Sequence, residues 1–378
     1  MNILIDLTSL ADNLSGIERF CENVAFFLVR EYHSVNTKFI LLFKSCVSDR
    51  FRQFENCEDI EFIVLPRKNK LYFSQFLLPR ELYKHKADFY LFLAFPAPFF
   101  FFNRRAISAI HDIGCWDCPQ TMTRISKWYF RIMFRKAVAR NKKVITVSDF
   151  SKTRICEKLR VKESNIWIIS NGLMDSFLKP LQIDTKKAKN LQKKYSLPDK
   201  YYLCLSTLEP RKNLSLLIRA FQNVLLKSQG DINLVLAGRK GWKVDNLLSG
   251  LESEVKDRIF ITGFIDDADL PAIYFCAEWF VFPSRYEGFG IPVIEAMSQK
   301  TPVICSDIPS VKEIVGEYAV MFRNDDYESL ENVLLHTLNI QKEQKDKFIE
   351  GGFERSRTYS FAESADKLYT LLKGVSYE

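Results

Sequence analysis

The sequence predicts two α/β domains, each built on a parallel sheet, and three observations carry that reading. Short apolar runs alternate with helix-patterned segments along nearly the whole chain, which is the sign of parallel strands joined by crossover helices. The rhythm stops near residue 172 and restarts near 201. A length of 378 residues suits two domains better than a single core.

Composition narrows the class. Apolar content is 47%, ample for burial, and no segment reaches the ~18 uncharged apolar residues of a membrane span. The richest stretch, Phe89–Phe102, holds two prolines and reads as a strand followed by an apolar loop. The start, MNILIDLTSL, lacks a basic region and cleavage site and reads as a first core strand, so a cytoplasmic protein is expected. Nine scattered cysteines point to reduced thiols. Cys115 and Cys118 match C-x-x-C, but no second pair accompanies them.

The net charge of +8 is uneven. Residues 1–180 carry 28 Lys and Arg against 18 Asp and Glu, and the remainder carries 26 against 28. The basic excess concentrates in 124–162, with 13 bases against Asp149 and Glu157. Nucleic acid, an anionic membrane and a phosphorylated acceptor all fit such a patch.

In the first half, residues 2–7 give a strand, and Gly16 precedes the helical run IERFCENVAFFLVREY. A glycine there permits close approach of a phosphate, or simply makes a tight turn. Strands are expected over 38–43, 61–65, 88–93 and 106–110. The last ends at His111-Asp112, at the edge where open sheets bind ligands. Helix 123–140 interleaves Trp128, Tyr129, Ile132 and Met133 with Arg124, Lys127, Arg131, Arg135 and Lys136. That fits a membrane surface, or equally a solvated face above a core stripe. Strands over 143–147 and 165–169 complete this half, and the lysine-rich 179–198 is taken as the interdomain region.

The second half opens with a strand over 201–206 ending at Ser206, then Glu209-Pro-Arg211-Lys212-Asn213 and a helix. Two cations at a helix N-terminus are unfavourable by a few tenths to about 1 kcal/mol unless an anion sits beside them. Further strands end at Gly238-Arg239-Lys240-Gly241-Trp242 and at Gly263-Phe264. Asp267 and Asp269 are read as helix caps rather than a metal pair. A strand over 278–283 leads to Phe282–Met297, where Glu287 and Glu295 flank the turn Gly288-Phe289-Gly290 and the helical start Ile291-Pro292. Glu287 is expected at the strand tip and Glu295 about one turn into the helix. Strands over 301–306 and 318–322 and helices over 326–348 and 360–372 close the chain.

Glu209-Pro-Arg-Lys-Asn213, the Glu287/Glu295 pair, Gly263-Phe264 and the SGIERF turn at 15–20 resemble family 4 glycosyltransferases. These are retaining, nucleotide-sugar-dependent enzymes of GT-B type, with two Rossmann-like domains facing each other across a cleft. His111-Asp112-Ile113, Val147–Lys152 and Ser170-Asn171-Gly172 resemble the subgroup containing bacterial mannosyltransferases of O-antigen and capsule assembly. The resemblance covers nearly the whole chain. It departs at the first loop, where many relatives carry two glycines and this chain has Ser15-Gly16.

The resemblance implies an acceptor domain over 1–178, a donor domain over 179–358, and a final helix in 359–378 crossing back to the first. Arg211, Lys212 and Gly16 would bind the donor diphosphate. Glu295 would bind ribose, and Glu287, with the amides of Gly288, Phe289 and Gly290, the sugar beside its anomeric carbon. His111 would contact the sugar, and Gly263-Phe264 would meet the base. Ser206, Gly238, Arg239 and Ile291 join the donor-binding set, and Glu287, His111, Arg211 and Lys212 form the catalytic one. No metal and no cofactor are expected.

The expected reaction is retaining, metal-independent transfer of a sugar, with GDP-mannose favoured, to a lipid-linked or oligosaccharide acceptor in cell-surface polysaccharide synthesis, such as lipopolysaccharide or capsule. The expected place is cytoplasmic, peripheral at the inner face of the membrane through the basic first domain, without nucleic acid as a partner. Two alternatives remain: another nucleotide-sugar enzyme of the same fold, of UDP-sugar epimerase type, or a non-catalytic nucleotide-sugar-binding subunit.

Overall fold

The computed structural model describes residues 1–10, 16–34, 36–141, 143–181, 185–228, 232–239 and 247–376. Ser15, Lys142, Lys240, Gly241 and Trp242 lie outside the described residues. The chain divides into two compact units, one of residues 1–172 with 360–378 and one of residues 173–359.

The first unit holds a seven-stranded parallel sheet of order β3-β2-β1-β4-β5-β6-β7. Its strands are β1 (Asn2–Asp6), β2 (Lys38–Lys44), β3 (Ile60–Leu65), β4 (Phe89–Phe92), β5 (Ala106–Ala109), β6 (Lys143–Thr146) and β7 (Ile166–Ile168). Apart from their ends, the central strands are buried on both faces, which explains their continuous apolar runs rather than alternation. The Gly16–Tyr32 helix follows β1 and buries Phe20, Val24 and Leu28. The Phe361–Ser376 helix packs against it, with Tyr32 and Tyr369 stacked at 3.7 Å and the Tyr32 hydroxyl donating to Asp366.

The second unit holds a six-stranded parallel sheet of order β10-β9-β8-β11-β12-β13. Its strands are β8 (Tyr201–Leu205), β9 (Asn233–Ala237), β10 (Ile259–Gly263), β11 (Trp279–Phe282), β12 (Val303–Ser306) and β13 (Val320–Phe322). In each sheet the first strand is central, and the order reverses beside it. That reversal opens a crevice at the carboxyl ends of β1 and β4, and of β8 and β11, where doubly wound sheets take ligands.

Several boundaries differ from the sequence reading. The units part at 172/173 rather than 178/179, because 173–178 bonds into the second unit. Leu173 N–H donates to the Tyr359 carbonyl at 3.0 Å, and Phe177 packs edge-on against Tyr274. The lysine-rich linker contains the Thr185–Tyr195 helix of that same unit. Asp269 sits at a helix N-cap, but its carboxylate accepts from Lys194 Nζ at 2.7 Å and Tyr195 Oη at 2.8 Å instead of a backbone N–H. The closing helix over 326–348 is two, Tyr327–Leu338 and Lys342–Ser356, because Asn339 turns its N–H back to the His336 carbonyl.

Candidate functional site

The loops after β8 and β11 flank the switch point of the second sheet, and a cluster of linked ion pairs lies there. Pro210–Lys212 is a 3-10 turn, followed by Asn213 in the left-handed region (φ 56°) and the Leu214–Ser228 helix. Arg211 and Lys212 therefore sit one turn ahead of the helix rather than in it. Glu287 lies in the loop five residues past the end of β11, beyond the expected strand tip. Its Oε2 accepts from Arg211 Nη1 at 2.6 Å and its Oε1 from Lys212 Nζ at 2.6 Å. Arg211 also donates to Glu209 Oε1 at 3.0 Å and to the Tyr286 carbonyl at 3.0 Å. The two loops are bonded to one another, since Arg285 N–H donates to the Arg211 carbonyl at 2.9 Å and its guanidinium to the Pro210 carbonyl at 3.0 Å.

The chain itself supplies part of the charge that balances this pair. Two adjacent cations called for an anion, and the anions beside them are Glu287 and Glu209 of the chain itself. Burial alone would raise the Glu287 carboxyl; the Arg211 and Lys212 charges outweigh it and hold it at about 2. Glu287 is thus a fixed carboxylate at neutral pH and cannot serve as a general acid. Lys212 uses one of its three N–H groups on Glu287, so two remain for a further anion.

Gly290 opens the Ile291–Ser298 helix with φ 142°, a conformation that side-chain-bearing residues rarely adopt, and Pro292 lies in the first turn. Among the described residues, no acceptor faces the N–H groups of Phe289, Gly290 and Ile291. Three open amides at a helix N-terminus form an anion cradle. Gly288 and Phe289 are buried in the turn before it, and the Phe289 ring packs edge-on against Tyr359 at 5.5 Å. One turn into the helix, Glu295 is buried and accepts from the buried Tyr274 hydroxyl at 3.0 Å.

The neighbouring strand ends come together through backbone bonds. Ser206 N–H donates to the Ala237 carbonyl at 2.9 Å, and Gly238 N–H to the Gly263 carbonyl at 2.8 Å. Gly238 has φ 130°, and a Cβ there would meet the Ser206 carbonyl oxygen at 1.9 Å, so only glycine lets these chains approach. The Arg239 guanidinium lies 4.8 Å over the half-exposed Phe264 ring.

The first unit gathers a different set. His111 follows β5, and its Nε2 lies 2.9 Å from the Leu93 carbonyl after β4. A carbonyl only accepts, so Nε2 carries the proton and Nδ1 is an acceptor. Burial pushes its pKa down, against the raising effect of the Leu93 carbonyl, Asp112 and Glu18, so the ring is neutral. The Phe20 ring meets it edge-on at 4.9 Å. Gly16 begins the adjacent helix. Cys115 and Cys118 are both buried and in no disulfide, and burial pushes the Cys115 thiol up to about 12, which argues against the redox reading.

Sequence reasoning assigned no role to Glu209, Tyr274 or Arg285. Glu209 stands inside the motif that flagged the cations and was legible by charge. Tyr274 had no signal, lying 21 residues from the carboxylate it meets.

A cation pair clamped on a carboxylate and open amides at a helix N-terminus give the ligand edge of the second sheet groups that suit an anion. A model of Glycosyltransferase Family 4 matches residues 14–176, and one of Glycosyl transferases group 1 matches residues 186–355. The chain belongs to the family 4 glycosyltransferases of GT-B type. It is 31% identical over 235 residues to O-antigen chain mannosyltransferase B of Escherichia coli, covering 62% of this chain and 61% of that one. It is 30% identical over 231 residues to O-antigen chain mannosyltransferase RfbU of Salmonella typhimurium, covering 61% and 60%. The match thus spans about three fifths of each relative's length. The crystal structure of Anabaena HepE in complex with UDP and glucose superposes with a TM-score of 0.72 at 15% identity, covering 99% of this chain and 100% of that one, which speaks to fold.

Proposed function

We propose that the chain is a retaining glycosyltransferase that moves a sugar from a nucleoside-diphosphate donor to a lipid-linked glycan in cell-surface polysaccharide synthesis. The observation that carries this is the Arg211–Glu287–Lys212 cluster beside the open amides of Phe289, Gly290 and Ile291. In this reading the remaining Lys212 donors, Arg211 and the Gly16 backbone take the diphosphate, and Ser206, Gly238 and Arg239 shape its surroundings. Glu295 accepts from ribose, while Phe264 and the Gly263 backbone meet the base.

Glu287, ionised and fixed by the cations, holds sugar hydroxyls next to the anomeric carbon with the Gly288–Gly290 turn. His111 offers Nδ1 to a hydroxyl. The bond from the anomeric carbon to phosphate breaks, the acceptor oxygen bonds on the same face, and its proton passes to the departing phosphate oxygen. Arg211 and Lys212 neutralise the charge building on that phosphate, the part a metal plays elsewhere. Glu287 and Glu295 are not an acid–nucleophile pair of the hydrolytic kind, because each is occupied on its own task.

GDP-mannose is the favoured donor, supported by the two mannosyltransferase relatives. A UDP-linked sugar is the second reading, supported by the UDP and glucose held by the fold relative HepE. We further propose a cytoplasmic protein docked on the inner membrane face. No helix among the described residues is long and apolar enough to cross a membrane.

Thermal shift with GDP, UDP and their sugars reads donor choice directly, because a ligand of the folded state raises stability by mass action. Label from the stabilising donor should then reach a lipid-linked acceptor, with the anomeric configuration kept and with a chelator present. No stabilisation by any nucleotide, or transfer only with added metal, would sink the corresponding part of the reading.

A further inference from the structure

The exposed aromatic residues of the first unit are not scattered. Leu71, Tyr72, Phe76, Phe99, Phe100, Phe102, Ile125 and Trp128 are each between 36% and 84% exposed, where isolated apolar residues would need no explanation. They come from three segments that touch. Tyr72 stacks on Phe76, and Phe76 meets Phe100 at 5.5 Å, joining the short helical turns after β3 to the loop after β4. Lys136 lies over the Phe99 and Phe102 rings at 5.5 and 5.4 Å, and Arg140 over Phe102 at 4.2 Å, joining that loop to the Arg124–Arg140 helix. The Lys136 ammonium also donates to the Pro98 and Phe101 carbonyls, so it holds the loop that carries the phenylalanines.

On the helix, Ile125, Trp128, Tyr129 and Ile132 recur at spacings of three and four and form one exposed stripe; Lys136, next along it, is buried against the loop, and Arg140 is exposed one turn further on. The apolar core face of the helix is elsewhere, at Met133, Phe134 and Ala137, and Lys136 is the one base buried with them. Arg131, whose guanidinium lies 5.8 Å over the Trp128 ring, borders the stripe, and the exposed Arg124 and Arg135 lie on the same side of the helix as Arg131. Residues 62–80, 89–111 and 118–148 contain no Asp or Glu. A second protein would need acids opposite these bases and apolar groups opposite the rings at once. An anionic bilayer supplies both, phosphate headgroups at one depth and acyl chains a few ångströms below.

We infer that this face inserts into an anionic bilayer, with Phe99, Phe100, Phe102 and Phe76 and the Ile125–Ile132 stripe entering the acyl boundary and the bordering bases resting on headgroups. The inference rests on the proposed membrane-bound acceptor and sharpens it, because mere electrostatic docking buries no ring. Electrostatic contact is lost in about 1 M salt, where the screening length falls to about 3 Å, whereas burial of apolar area persists.

The test is co-sedimentation of the full chain with phosphatidylcholine vesicles containing phosphatidylglycerol, at low salt and at about 1 M salt, with quenching of Trp128 by acyl-brominated lipid read against Trp128→Phe. Insertion predicts binding that survives high salt, quenching of Trp128, and at least a tenfold loss of salt-resistant binding in the Phe99→Ser, Phe100→Ser, Phe102→Ser variant. Stabilisation by the nucleotide that binds wild type reports that the variant is folded. Binding abolished by salt, an unquenched Trp128, or a folded variant that binds like wild type would overturn the inference while leaving donor chemistry standing. So would a dimer in solution that the triple variant dissolves, since the occupant would then be a second copy. Failure of the glycosyltransferase reading shows separately, as no nucleotide stabilisation.

Discussion

The two sheets share one strand order around the switch point, yet their ligand edges are chemically opposite. In the second unit, Arg211, Lys212, Glu209 and Glu287 pack four charges into one cluster, the two carboxylates buried and the two cations half-buried over them. In the first, a neutral His111 is bonded to a carbonyl and edged by Phe20. Topology therefore chooses where a ligand goes, and residues choose what it is. A charged edge suits the diphosphate of a donor, and a neutral edge suits hydroxyl groups. The carboxylates separate the units further. Glu287 is held down by cations, whereas burial raises Asp6, at the end of β1, despite two bonds from Thr8.

The largest break in this comparison comes from removing the cations. Arg211→Ala with Lys212→Ala should lower sugar transfer by at least about a thousandfold, each charge-stabilising group being worth on the order of 10²–10³ in rate. The double variant also strands Glu287 as a buried unpaired charge, which costs about 3–5 kcal/mol. Adding Glu287→Gln should recover much of the melting temperature without recovering transfer. Recovery of both would mean that the cations serve only the fold.

Acid separates the units next. Glu287 has a folded pKa of about 2 against 4.5 for the free group. A lowered carboxylate contributes stability that is complete above 4.5 and lost as pH falls through about 2. At about 1.4 kcal/mol per pH unit this is about 3 kcal/mol. Asp6 is raised, so its contribution runs the other way, present in acid and lost as pH rises. Urea unfolding followed between pH 5 and 2 should show the second unit failing with a slope that Glu287→Gln flattens. An unchanged slope in that variant would place the acid sensitivity elsewhere.

Much of this was legible in sequence because it is local. Alternation of apolar runs placed the thirteen strands among the described residues to within about two residues, and Gly290 and Pro292 announced their helix start by backbone rules alone. What stayed hidden is long-range. Nothing in Glu287 says that it will meet Arg211, 76 residues earlier, so the share of the cations' charge that the chain itself balances did not show. The lysine-rich 179–198 looked like a linker because its stabilising partners, Asp266 and Asp269, lie more than 70 residues on. The single helix expected over 326–348 failed for a local reason, since a break at Asn339 interrupts no apolar period.

Tyr274 sharpens the second unit's side of the comparison at smaller cost. Its buried hydroxyl donates to Glu295 Oε2 and so orients the carboxylate that the proposal gives to ribose. Tyr274→Phe removes one hydrogen bond to a charged group, worth about 1.5–3 kcal/mol. The donor KM should rise about tenfold with kcat nearly kept, and 2′,3′-dideoxy nucleotide, which offers no ribose hydroxyl, should bind both proteins alike. An equal loss for the dideoxy nucleotide would make Tyr274 a matter of packing.

His111 offers the smallest effect and the most direct reading of the neutral edge. Its Nε2 proton is committed to the Leu93 carbonyl, and burial keeps the ring uncharged although Asp112 and Glu18 favour a proton. One accepted hydroxyl bond is worth about 1 kcal/mol, so His111→Gln should slow transfer about fivefold, while nucleotide binding in the other unit stays unchanged. The sign in pH follows from the lowered pKa. Burial favours the neutral imidazole, so the wild-type profile should not climb relative to that of His111→Gln as pH rises from 6.5 to 8. A rate that climbs through pH 6.5 in wild type and not in the variant would show an imidazolium in the working enzyme, and the first unit's edge would then carry charge like the second's.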